Sequence, residues 1–486
     1  MTEMQKLSSL VLSEQAKKDS WLIIGKGPSY SSEAIDSFPF KRRVGLNHVV
    51  ERVRLAYSHV IDLDVIRECG DKIYENAEKL IMPIYPHENF RPVTTHISNL
   101  LKDFEVLQQL SIENRLVCYD CKTSDIREEG EPLIAVKNFS VEGVLNILVH
   151  LGVKEIRTTG IDGGKAYSKA FSHLTEKTLL SNGQNSFDSQ FQEIAKTLTH
   201  NDDVIFGPVG LELPIRVFIG SDKNQYLPAK VLEFSIKSRS SSSVRTMSVD
   251  DTDVPVPADP HNRSKTGFSF GRFKIPSLCA YKGHGIYLDA DMLVFRDISE
   301  LWHERRGDVA LQVPMKAPKS QRPQQHSVFL VNSSLARWDV NDVVASLDAG
   351  TLSYDDLMKR MAIVPEERVT YELDYGWNSL EDYDASDTKL LHFTDMPTQP
   401  WISYKNPFGY LWYREVQAAL ANGFITKEEF QRELEGGRVF PGLRAWIFLS
   451  KYQVLTRYSL IRQLIDAFSR LLYPNWRAPY KRLLPK

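Results

Sequence analysis

A chain of 486 residues, 42% hydrophobic and 25% charged, has the composition of a globular protein long enough for two or three domains. No uncharged apolar run approaches the ~18 residues of a membrane-crossing helix, and four cysteines are too few for a disulfide framework. The net charge of −2 is unevenly spread. Residues 438–486 hold ten Lys and Arg against one acid, Asp466, a charge of +9 that leaves −11 for the rest, which points to a surface partner for the basic end.

Residues 1–18 read as a leader whose apolar run is short and whose order of charge is wrong for a signal peptide, so a cytoplasmic location is expected. The first block, 19–212, opens with "SWLIIGKGPS": a strand over Trp21–Ile24, then a Gly-rich turn from Gly25 to Ser29. "RLVCYD" is a second apolar strand. Its Cys118, with Cys121, forms a CxxC that reads as buried thiols in a reducing compartment. Val141, Val144, Leu145, Leu148, Val149 and Leu151 have helical spacing, Gly152 stops that helix, and "KEIRTTG" leads as a strand into a loop at Asp162. Strands alternating with helices predict an α/β fold with a parallel, doubly wound sheet. Such sheets bind ligands at the carboxyl ends of their strands. The glycines there permit close backbone approach to a phosphate, and Lys26 adds charge.

"GKGPS", "GLNHV" (Gly45 to Val49) and "LGVKEIRTTGIDGGKAY" resemble the Rossmann-like domain of Campylobacter-type sialyltransferases and Maf-type flagellin glycosylation proteins. The resemblance implies a cytidine nucleotide held around Gly25, Gly27, Ser29, Asn47 and Asp162. Lys26 departs from the family Asn, and His173 and His200 are the candidates for the family's catalytic histidine.

The second block, 213–415, starts the sheet again. "IRVFIG" is a strand ending in a polar loop, Ser221–Gln225, and Val231, Leu232 and Ile236 lie on the helix that follows. "SVDDTDVPVPADPHNRS" is a long acidic, Pro-rich loop, of a length usually functional or mobile. "FGRFKIPSLCAYKG" reads as a helix. "GIYLDADMLVF" then sets two carboxylates, Asp289 and Asp291, in an apolar strand. Residues i and i+2 share one face of a strand. Two hard oxygen ligands side by side call for a divalent cation such as Mg²⁺ or Mn²⁺.

This D-x-D resembles that of family 8 glycosyltransferases with the GT-A fold. "YLDADMLVFRDISELW" continues the family pattern through Asp297, Leu301 and Trp302. "HSVFLVN" (His326 to Asn332), "LDYGWN" (Leu373 to Asn378) and "LHFTDMPTQPW" (Leu391 to Trp401) follow in the family's order. The resemblance implies Asp289, Asp291 and His392 as ligands of Mn²⁺ or Mg²⁺. It implies Arg272 and Lys274 near the donor's diphosphate, and Ser221 and Asp222 on uridine and ribose. Asp374, Asn378 and Gln399 would position sugar or acceptor. Gln399 stands where the family has a Lys that meets the leaving diphosphate, and Lys405 or Arg272 is the substitute cation.

The third block, 416–486, reads as two helices broken at Gly423, then a basic tail in which Trp446, Ile447, Phe448, Leu455, Tyr458, Leu460, Ile461, Leu464, Ile465, Phe468, Leu471, Leu472 and Trp476 are interleaved with Arg and Lys. A basic amphipathic segment with Trp and Tyr suits an anionic membrane surface; no reading motif for nucleic acid accompanies it. The whole predicts two Rossmann-like nucleotide-binding domains, the second of GT-A type, and a helical basic tail. The implied protein is a glycosyltransferase on the inner face of a membrane. It uses a nucleotide-sugar donor, a UDP-sugar with retention, and a glycan or glycolipid acceptor. The alternative is an inactive scaffold that binds glycan or partner enzymes.

Overall fold

The computed structural model describes residues 4–318, 320 and 322–449, with 464, 467, 468, 471 and 476 beyond them. The chain divides into two compact units, Met1–Pro214 with Ser241–Ser243, and Ile215–Ser240 with Val244–Lys486. Both are α/β, each built on a core of parallel strands.

The strands of the first unit run edge to edge as Gln5–Lys6, Leu116–Cys121, Ala77–Pro83, Leu55–His59, Arg43–Leu46, Ser20–Ile24, Glu155–Thr159 and Ile205–Pro208, all parallel. Helices cover both faces, which is why the strands are continuous apolar runs. Trp21 and Ile23 enter one core cluster and Leu22 and Ile24 the other. The pleat sends Cys118 into one cluster and Cys121 into the other, so the CxxC is two separate buried thiols. Strand order reverses at Ser20–Ile24. The strand after it in the chain lies on one side and Glu155–Thr159 on the other, and the ligand crevice of such a sheet opens at that point.

The sheet of the second unit runs Val244–Val249, Ile215–Gly220, His284–Asp289, Val328–Asn332, Leu311–Pro314, Val369–Leu373. The first three strands are parallel and Val328–Asn332 is antiparallel to His284–Asp289. A small second sheet pairs Met292–Val294 with Leu390–His392 and that strand with Ser379–Leu380. This is the α/β architecture expected of the GT-A resemblance. One detail differs from the sequence expectation: Asp289 and Asp291 do not share one continuous strand. The chain leaves the large sheet at Asp289 and enters the small one at Met292. The Ala290 N–H donates to Gly220 O and the Phe393 N–H to Asp291 O, so the two carboxylates sit at the seam between sheets.

The long acidic loop is pinned rather than loose at its start. Asp251 Oδ1 accepts the backbone N–H groups of Phe270 and Gly271 at 2.9 and 2.7 Å, which fixes the 3-10 turn Gly271–Lys274 that carries Arg272.

Helix Gly409–Asn422 ends where Gly423 takes φ 79°, a left-handed conformation that glycine adopts without strain. Lys427–Glu435 then starts on a capping box, Thr426 with Glu429. Leu443–Leu449 is a third helix whose Leu443, Trp446 and Ile447 are buried in the second unit's core; Trp446 stacks on Tyr404 at 5.4 Å. Trp446 and Ile447 are therefore core residues rather than part of a free basic surface. Most of the tail after 449 lies outside the described residues. Within what is described there, Trp476 packs against the same core cluster, while Leu464, Phe468 and Leu471 are exposed.

Candidate functional site

The seam in the second unit brings Asp289, Asp291 and His392 together, with one ligand-type atom of each within 4.8 Å of the others. Asp289 Oδ1 accepts the Tyr287 hydroxyl at 2.6 Å and the Arg272 guanidinium at 3.2 Å. Asp291 Oδ2 accepts Gln399 Nε2 at 3.0 Å. Asp291 Oδ1 is buried, accepts no hydrogen bond, and lies 3.0 Å from His392 Nε2.

The imidazole is oriented from behind. His392 Nδ1 is 3.1 Å from Asn378 Oδ1 and 3.3 Å from Ser327 Oγ. The Asn378 Nδ2 group points its proton at Ser327 Oγ, 3.4 Å away. The amide oxygen can only accept, so Nδ1 carries the proton and the lone pair is left on Nε2, beside Asp291. A buried carboxylate oxygen that accepts no hydrogen bond and faces a ring nitrogen whose tautomer is set is the environment of a cation ligand set. The residues therefore fit a divalent ion, with two oxygens and one nitrogen as donors.

The electrostatics agree. Burial raises the pKa of Asp289, opposed by the Arg272 charge and reinforced by Asp291. Burial alone would lower the pKa of His392, but the Asp291 and Asp289 carboxylates carry it upward. A proton and a metal ion thus compete for the same lone pair.

The other residues singled out in the sequence take these places. Arg272 is 7% exposed. It is held by His326 O at 2.9 Å and lies over the Tyr287 ring at 4.6 Å, so its charge is spent on Asp289. Lys274 stands 3.9 Å from Asp250. Ser221 shares a hydrogen bond with Ser248, and Asp222 Oδ1 accepts the Asn224 N–H at 2.8 Å; both follow the strand Ile215–Gly220. Asp374 caps the turn Tyr375–Asn378 through Gly376 and lies 3.1 Å from Lys389. Lys405 is exposed. Gln399 also donates to Phe393 O at 2.9 Å, so both partners of its amide nitrogen belong to the carboxylate seam. Sequence reading missed Ser327 and Tyr287. Each lies inside a recognised motif, but only the three-dimensional register shows which ligand it touches.

In the first unit a cavity of about 560 Å³ opens at the switch point, lined by Gly25, Lys26, Gly27, Asn47 and Asp162 among others. A Cβ on Gly25 would lie 2.2 Å from Gly160 O, and one on Gly27 2.3 Å from Asp162 Oδ2; only glycine fits where these loops cross. Asp162 Oδ2 accepts the Ser29 N–H at 2.8 Å and the Ser29 hydroxyl at 2.9 Å, and Ser29 Oγ in turn accepts the Gly160 N–H. Ser29 thus ties the two loops together. Asn47 takes φ 52°. His173 is 3.2 Å from Glu51, and His200 is exposed at the end of helix Ser189–Thr199; neither lines the cavity. The sequence reading missed Asp62. It lines the cavity, its Oδ1 is buried without a partner, and burial pushes its pKa up to about 6.

No family model matches the chain. Protein CDI of Arabidopsis thaliana is 34% identical over 92 residues, 18% of this chain, and the chain covers 36% of that relative. Among solved structures, galactosyltransferase LgtC, in complex with donor and acceptor sugar analogues, is similar at 15% identity over 45% of this chain and 100% of that one, with a TM-score of 0.32. The bifunctional glycosyltransferase WbbM is similar at 13% identity over 69% of this chain and 65% of that one, with a TM-score of 0.34. The glycosyltransferase GlyE of Streptococcus pneumoniae TIGR4 is similar at 14% identity over 42% of this chain and 60% of that one, with a TM-score of 0.31. Sheet order and register, rather than these likenesses, define the fold described above. No helix among the described residues is long and apolar enough to cross a membrane.

Proposed function

We propose that the chain is a metal-dependent glycosyltransferase that moves a sugar from a nucleotide-sugar, a UDP-sugar with retention of configuration, to a cell-surface glycan or lipid-linked acceptor. The observation that carries this reading is the convergence of Asp289, Asp291 and the oriented His392 at the carboxyl end of the strand His284–Asp289, where the two sheets meet. A bound Mn²⁺ or Mg²⁺ would supply Lewis-acid stabilisation of the leaving diphosphate. Asp289, Asp291 and His392 would hold that ion. Asn378 and Ser327 fix the imidazole, and Gln399 fixes Asp291. Ser221 and Asp222 take the uridine and ribose, Lys274 and Lys405 the diphosphate, and Asp374 the sugar or acceptor.

The first unit is the second nucleotide module, with its phosphate at Gly25–Gly27 and a cytidine nucleotide as first choice. The functional blocks are 19–212, 213–415 and 416–486. Hydrolysis of UDP- and CMP-sugars by the full chain, with and without Mn²⁺, tests the reading. Turnover of a UDP-sugar that stops on chelation is expected. Tight metal-dependent nucleotide binding with no turnover of any donor would favour the scaffold reading, which the absence of a Lys at position 399 supports.

The tail would hold the enzyme at an anionic lipid surface, each Lys or Arg that reaches it contributing on the order of 1 kcal/mol. Because Val439, Phe440, Leu443, Trp446 and Ile447 are core, the informative deletion is 451–486, which removes eight Lys and Arg. It is expected to release the protein from anionic vesicles in a flotation assay and to spare donor hydrolysis. Unfolding of the truncated chain would assign the tail to packing, through Trp476.

A further inference from the structure

We infer that the first unit carries a metal centre of its own, built from His48, Glu51 and Cys69 and suited to a zinc-type ion. One ligand atom from each lies within 4.8 Å of the others. His48 and Glu51 are three residues apart on the 3-10 helix Asn47–Glu51, a spacing at which side chains eclipse on one face. Cys69 comes from the helix Leu63–Asn76, at a residue whose backbone leaves helical geometry (φ −133°, ψ 26°).

The decisive detail is His48. It is 1% exposed, its Nε2 is 2.7 Å from Glu68 Oε2, and its Nδ1 is buried without a partner. A ring that gives its Nε2 proton to a carboxylate presents a lone pair on Nδ1. A buried lone pair with no donor is costly unless a cation takes it. A carboxylate behind a histidine in front of a metal is the recurrent outer-shell arrangement of zinc sites. Glu68 is therefore the orienting group, and the ligands are His48 Nδ1, a Glu51 oxygen and Cys69 Sγ.

The donor set decides the ion. Imidazole, carboxylate and thiolate together select zinc over magnesium or manganese, in contrast to the oxygen-rich set at Asp289 and Asp291. The Cys69 thiol now donates to Val65 O at 3.0 Å; on metal binding its proton passes to solvent. Three protein ligands leave a tetrahedral ion one position for water or a ligand oxygen. His48 and Glu68 also line the cavity that holds the Gly25–Gly27 loop, so that oxygen can come from what the cavity binds. The inference rests on the geometry around His48 and is independent of the glycosyltransferase reading.

Cobalt(II) titration of the reduced full chain tests it. Co²⁺ bound here gives a sulfur-to-cobalt charge-transfer band, which the Asp289–Asp291–His392 cluster, lacking a thiol, does not. One such equivalent per chain is expected, displaced by Zn²⁺. Cys69→Ser, which keeps a donor for Val65 O, removes the band. Glu68→Gln weakens Co²⁺ binding by about 10- to 100-fold and serves as the second variant if Cys69→Ser does not fold. No charge-transfer band at excess Co²⁺, or a band that survives Cys69→Ser, would overturn the assignment, as would a Glu68→Gln protein with parental affinity.

Discussion

Asp291→Asn is expected to abolish Mn²⁺-dependent nucleotide binding by the second unit while leaving the melting temperature of the chelator-treated protein within about 2 °C of the parent. The two halves of this expectation have separate causes. Asp291 Oδ2 takes the Gln399 amide, and an asparagine oxygen can accept the same bond. Asp291 Oδ1 has no hydrogen bond to lose, and an amide there can donate to His392 Nε2, 3.0 Å away. Shape and the Gln399 hydrogen bond survive, and relief of the repulsion between two adjacent carboxylates offsets the lost attraction to His392, so the fold changes little. The ligand set does. An amide is a poor replacement for a carboxylate, and the loss should exceed the roughly 10- to 100-fold of an outer-shell change. Asn378→Ala supplies that comparison, since it removes only the acceptor that orients His392. Mn²⁺ titration followed by electron paramagnetic resonance orders the three proteins. Parental affinity in Asp291→Asn would place the metal elsewhere.

How much of this was legible beforehand depended on whether a feature is local. The alternation of apolar runs with helical periodicity gives both α/β units, because burial on two faces imposes that pattern on each strand. The loops at Gly25–Gly27 and Asp162 were legible as strand ends, and the close crossing at Gly160 explains why glycine is needed. The D-x-D motif announced its acids. What it could not announce is that the chain changes sheets between them, because that depends on the strand Leu390–His392 arriving from a hundred residues further on. Arg272 illustrates the same limit. Sequence marks it as a cation near a diphosphate, but its partner is set by the register that brings Tyr287 and Asp289 beneath it. Gln399 marks a missing charge in one dimension; in three it is a hydrogen-bond donor to Asp291. Trp446 and Ile447 were misread for a related reason. An amphipathic pattern specifies an apolar face but not what covers it, and the cover is the second unit's own core.

Lys26→Met should raise the melting temperature of the first unit at pH 7 and at the same time weaken its binding of cytidine monophosphate. Burial lowers the pKa of Lys26 to about 8. Its ammonium lies over the Tyr167 ring at 4.7 Å, and the acidic groups that act on it, Cys69, Glu51 and Glu68, offset only part of the burial. In the unfolded chain the group titrates near 10.5. Between about pH 8 and 10.5 the unfolded state therefore binds more protons, and stability rises with pH across that window. Below pH 8 the full penalty applies, up to about 3 kcal/mol at 1.36 kcal/mol per unit. Methionine matches the length of the stem and carries no charge. The gain at pH 7 should then be on the order of 5 °C and should shrink toward pH 10. A cation kept at such a cost beside a glycine turn is explained by an anion that enters the cavity and pairs with it. Gly27→Val separates charge from shape: its side chain would collide with Asp162, so it should lose both stability and binding. Calorimetry at the two pH values, with nucleotide titration, reads both quantities. A lower melting temperature for Lys26→Met at pH 7, or unchanged affinity, would mean that Lys26 is held for packing and that the cavity's anion site lies elsewhere.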